Sequence, residues 1–170
     1  METFLGALDF LRDNPGLIWE KVLQHLQLSA AAIGVALVIA IPIGVILGHL
    51  HEGSFLAINA ANIGRALPSL ALISIGLGFL GVGFVNVMVA MVILAVPPLI
   101  TNAYVAVDQV DPDAVEAARG MGMRPIQVLT KVELPLALPL IFAGIRTAVV
   151  YVIATGTLAA IAGGGGLGDI

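Results

Sequence analysis

Residues 66–107 read ALPSLALISIGLGFLGVGFVNVMVAMVILAVPPLITNAYVAV, 42 positions without one Asp, Glu, Lys or Arg. A transmembrane helix needs about 20 mostly apolar residues to cross a hydrocarbon core of about 30 Å. The run is long enough for two crossings, and Gly81-Val82-Gly83 supplies a tight link between them. Core helices of soluble proteins rarely run so far without charge. Residues 22–51 and 147–168 are also free of charged side chains, counting His as neutral. The fold class that follows is an all-α integral membrane bundle.

The whole chain agrees. Of 170 residues, 59% are apolar and 11% are charged, against about 25% in an average soluble protein. Mean hydropathy is +1.08. A soluble enzyme or a disordered chain is excluded by that balance. A net charge of −4 excludes a basic nucleic-acid surface. With no cysteine there is no disulfide scaffold, thiolate metal site or thiol nucleophile. The first residues, METFLGALDF, carry Glu2 and Asp9 where a secretory signal needs positive charge. Residues 1–21 read as an amphipathic lead-in, with Phe4, Leu8 and Leu11 at helical spacing and a turn at Asn14-Pro15-Gly16. Trp19 falls where an interfacial aromatic belongs.

Spans are expected at about 22–48, 55–80, 84–107 and 137–161. The second carries Arg65 and Pro68 in its first half, so a break is expected there. His49 to Ser54 is expected to be a solvated polar link. Four spans put that link and residues 108–135 on one side, with Arg65, Arg119, Arg124 and Lys131, against Arg12 and Lys21 on the other. The positive-inside rule then places 108–135 in the cytoplasm and the N-terminus outside.

Several motifs are rejected on context. Gly76-Leu77-Gly78-Phe79-Leu80-Gly81 matches a dinucleotide fingerprint, but it lies in a charge-free membrane segment and the next carboxylate is Asp108. Close helix packing through small residues explains it better, as it does Gly44-x-x-x-Gly48. His49 and His51 lack the further ligands a metal site needs. None of Ser29, Ser54, Ser69 and Ser74 sits in a nucleophile setting. No catalytic residue, metal or cofactor is expected.

Residues 108–135 hold eight of the 18 charges. Asp111-Pro112-Asp113 is a helix start: a capping acid, proline at the first turn, and an acid near the N-terminus. Gly120 and Gly122 break that helix. A second short helix is expected from about Pro125 to Glu133, ending at Leu134-Pro135. An amphipathic loop on the membrane surface and a helix seated in a partner's groove both fit this composition. Small Ala117-Ala118 followed by a glycine elbow suits the second, because small residues permit close approach.

Glu116-Ala117-Ala118, three residues, Gly122, nine residues, then Val132-Glu133-Leu134-Pro135 resembles the EAA signature of ABC importer permeases, with Val132 in place of the usual Ile. Residues Arg65 to Ala71, Ala143 to Thr147 and Gly163 to Asp169 look like the osmoprotectant branch of that family, which imports glycine betaine, choline, carnitine and related quaternary amines. The likeness covers about 20–170. It implies a type I importer permease in the bacterial plasma membrane, with 108–135 as its cytoplasmic coupling-helix segment. Glu116, Ala117, Ala118 and Gly122 would form the contact core with an ATP-hydrolysing subunit, and Val132, Leu134 and Pro135 complete the motif. Glu116 could instead pair with Arg119. The resemblance also implies an extracytoplasmic solute-binding protein, a second permease, and no chemistry by the permease itself. Family members usually continue past the glycine-rich turn into a further span, which implies that one is missing after Ile170.

Arg146 lies about ten residues into the fourth span. A charge at mid-membrane costs about 2.5–3.5 kcal/mol on insertion scales, so it is expected to face protein or water. With Pro68 and Ser69 it is a candidate pathway or gate residue. A cationic substrate would be repelled by it, and the chain has no visible aromatic cluster to hold such a cation. Selectivity is therefore expected in the binding protein. The alternatives are an ABC permease for another small solute, or a non-ABC channel or assembly protein. A channel would have no use for a coupling helix.

Overall fold

The computed structural model describes residues 2–53, 55, 57, 59, 62, 63 and 66–170, with backbone only at 2–5, 7 and 8. Ser54 and Arg65 lie outside the described residues. The chain is helical almost throughout. α1 (Glu2–Asp13) stops at Asn14, and α2 (Pro15–His49) starts with proline at its first turn, where a missing N–H is harmless. At 1.5 Å per residue α2 is about 52 Å long, well beyond a bilayer core. It therefore begins before the span expected from residue 22, and its first turns carry the exposed Trp19 and the pair Glu20 and Lys21.

Residues 55, 57, 59, 62, 63 and 66 are helical, but the helix does not continue through the second expected span. Pro68 is extended (φ −72°, ψ 123°) and caps a separate α3 (Ser69–Leu80). Proline disfavours helix in the residue before it and has no N–H to give. α4 (Phe84–Asp108) follows the Gly81–Gly83 link and runs through Pro97-Pro98. Next come α5 (Pro112–Gly120), the single turn α6 (Pro125–Val128), a π-helical turn (Leu129–Glu133) and α7 (Leu134–Thr155). A 3-10 turn (Gly156–Ala162) leads to the glycine-rich end. Among the described residues three helical stretches are long and apolar enough to cross a membrane: Pro15–His49, Phe84–Asp108 and Pro125–Ala162.

The core is the contact of α2 with α4. Ala32, Ala36, Ala40, Gly44 and Gly48 recur every four residues on α2, and all are buried. The two helices run parallel. Gly44 lies against Ile100 and Ala103, and Gly48 against Tyr104 and Val107. A Cβ added at Gly44 would stand 2.6 Å from the Ile100 carbonyl oxygen. Such small-residue seams let membrane helices approach closely enough for dispersion to hold them. α7 runs antiparallel to both, burying Ala137, Ile141, Gly144, Ala148 and Val152, with Gly144 on Asn102 of α4. α3 folds back on α4, where the buried Asn86 amide donates to the Ile73 carbonyl at 3.2 Å. Gly76 of the rejected fingerprint makes room for Asn86 there, and Gly81 turns the chain at φ +73°.

Replacing Gly44 by valine should therefore force α2 off α4. Overpacking of this kind costs about 1–3 kcal/mol. Thermal unfolding of the detergent-purified protein should shift down for Gly44→Val and stay level for Gly34→Ala, whose added methyl meets nothing within 4 Å.

Candidate functional site: the helix–turn–helix segment and its anchors

The segment after α4 is built by local chemistry. The Asp111 carboxylate accepts the Asp113 N–H at 3.0 Å, capping α5. Asp113 adds negative charge at the positive end of the helix. After α5 the Met123 N–H reaches back to the Ala118 carbonyl, and Gly122 takes φ +79°, a conformation that glycine adopts without strain. The Arg124 N–H donates to the Gln127 side chain at 2.8 Å and starts α6. Val115 and Ala118 face inward and pack with Val110 and Val128 over the end of the bundle. Glu116, Ala117, Arg119, Gly120, Met121 and Gly122 face out.

This sorts the motif residues. Glu116, Ala117 and Gly122 lie on the outer face. Ala118 does not: it is 1% exposed and belongs to the internal packing, one helical turn after Val115. Val132 and Leu134 are half-buried in the same packing, and Pro135 is exposed at the start of α7. Among the described residues Glu116 and Arg119 form no ion pair. Nor does the second short helix end at Leu134-Pro135 as expected. The Leu134 N–H bonds five residues back to Leu129, and this π-turn carries the helix past Pro135 into α7.

The sequence reading missed the anchors. The link at Leu50 to Glu52 is exposed as expected, but both histidines hold carboxylates across the bundle, and His49 is largely covered. His49 Nδ1 lies 2.5 Å from Glu133 Oε2, and Glu133 is 1% exposed. His51 Nδ1 lies 3.0 Å from Asp108 Oδ1. A signal was present: Glu133 opens an apolar run, and a buried acid needs a partner. A cleft of about 450 Å³ lies beside the second pair, lined by His51, Asp108, Val115, Glu116 and Arg119.

The opposite end of the bundle is tied separately. Lys21 pairs with Asp169 at 2.5 Å, and the buried His25 bonds the Ile153 carbonyl at 2.9 Å. Glycines 165 and 166, both at positive φ, seat the last turn against Gln24 and His25. Arg146 lies exposed on the outer face of α7, while Pro68 is exposed and Ser69 half-buried at the α3 break. Among the described residues no hydrogen bond or ion pair links these three.

A helical bundle that presents a capped helix, a glycine elbow and a second helix at one end matches a known family model. The model of the binding-protein-dependent transport system inner membrane component aligns with residues 40–170. The chain belongs to this family. It is 40% identical to the choline transport system permease protein OpuBB of Bacillus subtilis, over 95% of this chain and 75% of the relative. To the glycine betaine/carnitine/choline transport system permease protein OpuCB of the same organism it is 39% identical, with the same coverage. The osmoprotectant import permease protein OsmW of Salmonella typhimurium is 36% identical over 96% of this chain and 79% of the relative. In fold it is similar to a chain of the MetNI methionine ABC transporter in an inward-facing conformation, with a TM-score of 0.77 at 23% identity, over 92% of this chain and 80% of that one. The protein is thus an ABC importer permease, an inner-membrane transport subunit that works with an ATPase and a binding protein and carries out no catalysis itself.

The capping carboxylate gives a local prediction. Asp111→Ala should cost α5 about 1 kcal/mol. Amide exchange in the first turn of α5 should speed up about fivefold, and exchange in α4 should not change.

Proposed function

We propose that this permease imports a quaternary-amine osmoprotectant such as glycine betaine, choline or carnitine, with residues 108–135 docked on a cytoplasmic ATPase and the N-terminus outside. The similar permeases named for choline, glycine betaine, carnitine and osmoprotectant transport support the substrate class. The observation that carries the docking role is the outer face of the segment. Ala117, Gly120 and Gly122 keep it low, Glu116 and Arg119 flank it with charge, and Met121, 71% exposed, stands on it without cover from this chain. An exposed thioether on a surface of small residues fits a groove in a partner protein.

A second permease, of the same or a sister chain, completes the pathway. Arg146 supports a shared pathway, because a bare guanidinium on a lipid-facing surface would carry the full insertion penalty. Pro68 and Ser69 provide a break in the second crossing at which the pathway opens and closes. The binding protein selects the solute, since the described core of this chain has no aromatic cage for a cation.

The docking role has a clean test. A Cβ at Gly122 meets nothing within 4 Å, so Gly122→Asp alters the outer face and local backbone only. Gly122→Asp and Ala117→Arg should insert and stay folded, yet lose ATP-driven uptake at least about tenfold, the scale of removing a central interface contact. Normal uptake by either variant removes the docking role. Ala118→Arg is a poorer probe because it would disrupt internal packing.

Topology and substrate are tested apart from docking. The chain has no cysteine, so single cysteines introduced at Glu52 and Met121 report sidedness directly. Both should react with an impermeant maleimide from the cytoplasm only, and labelling from outside reverses the orientation. Proteoliposomes holding the permease with its own ATPase and binding protein should take up labelled glycine betaine, choline or carnitine. Uptake of methionine in their place would overturn the substrate class.

A further inference from the structure

We infer that His49 and His51 are positioning residues that tie the coupling segment to α2, so that movement of the segment tilts the bundle. This rests on the proposed docking of residues 108–135.

His49 ends α2 and His51 stands in the turn just after it, and their carboxylate partners bracket the segment. Asp108 is its first residue, and Glu133 lies where it passes into α7. α2 and α4 are already one body, locked through Gly44 and Gly48. The entry of the segment moves with that body because it continues α4. Its exit belongs to α7, and His49–Glu133 is the polar link that joins this exit to α2. Ala137, Ile141 and Gly144 already pack α7 on that body along its length, and His49–Glu133 adds a directional contact at the exit itself, where pull from the segment is first felt.

Three observations set these contacts apart from ordinary surface pairs. His51 is the only non-glycine residue with positive φ among those described, at +51°. Strain of that kind persists where surrounding structure enforces it, often at switches and clamps. Glu133 closes the π-turn, an uncommon local structure found often at functional positions. Glu133 also keeps one carboxylate oxygen buried and without a hydrogen bond among the described residues. A buried pair satisfied on one side only is a poor way to gain stability, and an apolar pair of similar volume would hold the helices at least as well. The arrangement gives instead a directional link that resists sliding.

The test uses the whole transporter in proteoliposomes and reads solute uptake per ATP hydrolysed, with ATPase co-purification measured in parallel. The double variant His49→Leu/Glu133→Leu should assemble and hydrolyse ATP. Its uptake per ATP should fall about fivefold or more, the lower range of a typical coupling between sites. His49→Gln keeps an N–H for Glu133 and should restore most of the loss seen with His49→Leu. His51→Ala, at the exposed pair, disturbs no packing and should lower uptake per ATP by a smaller factor. Unchanged uptake per ATP in His51→Ala and in every assembled His49 variant overturns the inference, and it stays decidable even if the double variant does not assemble. If Gly122→Asp uncouples transport and the histidine variants do not, the clamp alone fails. If Gly122→Asp has no effect, the docking reading fails first.

Discussion

The close approach of α2 to α4 is the constraint on which the other contacts depend. Lipid tails are as apolar as leucine, so no hydrophobic force draws two membrane helices together. Contact must come from dispersion, which fades within an ångström of optimal separation. The seam of Ala32, Ala36, Ala40, Gly44 and Gly48 removes the side-chain bulk that would hold the backbones apart. Because the two helices are parallel, the intervening chain must cross back between them. Its described part holds helical residues at 55, 57, 59, 62, 63 and 66, then the extended Pro68 and α3. Parallel packing also brings the C-terminal ends of α2 and α4 to the same end of the bundle. That is why two histidines in the 49–51 stretch reach carboxylates at 108 and 133.

Charge follows the same geometry. Lys21 and Asp169 meet at one end of the bundle, and eight of the 18 charged residues lie in 108–135 at the other. Between them, counting His as neutral, the described helices carry one charged side chain, Arg146 on the outside of α7, while the buried polar groups are His25, Ser29 and Asn86. Scarcity of charge said membrane from the composition alone. Its distribution separates the end tied by one pair from the end at which docking is proposed.

The helical class and the family were legible because each rests on short-range pattern. A charge-free run states its own environment, Pro68 announces a break, and Asp111-Pro112-Asp113 spells a helix start. The inward turn of Ala118 was also within reach: Val115 and Ala118 share a face at i, i+3, while Glu116 and Ala117 point elsewhere. The early start of α2 was hidden because Glu20 and Lys21 mark where lipid ends, and a helix can continue into water. The π-turn was hidden because Pro135 reads locally as a stop. Only a shift in hydrogen-bond register lets the helix absorb it. His49–Glu133 spans 84 positions of sequence, and no local pattern announces such a pair. An acid at the head of an apolar run asked for some partner to offset its burial, but could not say which.

Arg146 obeys the same logic from the other side. It shares an exposed face of α7 with Phe142 and Val150, one turn before and after it, and Thr147 stands next to it with its hydroxyl turned back to the Ala143 carbonyl. A face so apolar suits lipid at every position but one. If lipid covered it, the arginine would have to snorkel from about midway along α7, further than its stem extends toward either end. If a second permease covered it, the apolar residues would be buried at the interface and the guanidinium would meet water or a polar group in the cleft between the two. The second arrangement satisfies all of these residues at once, and so α7 is the face on which the proposed pathway is best placed.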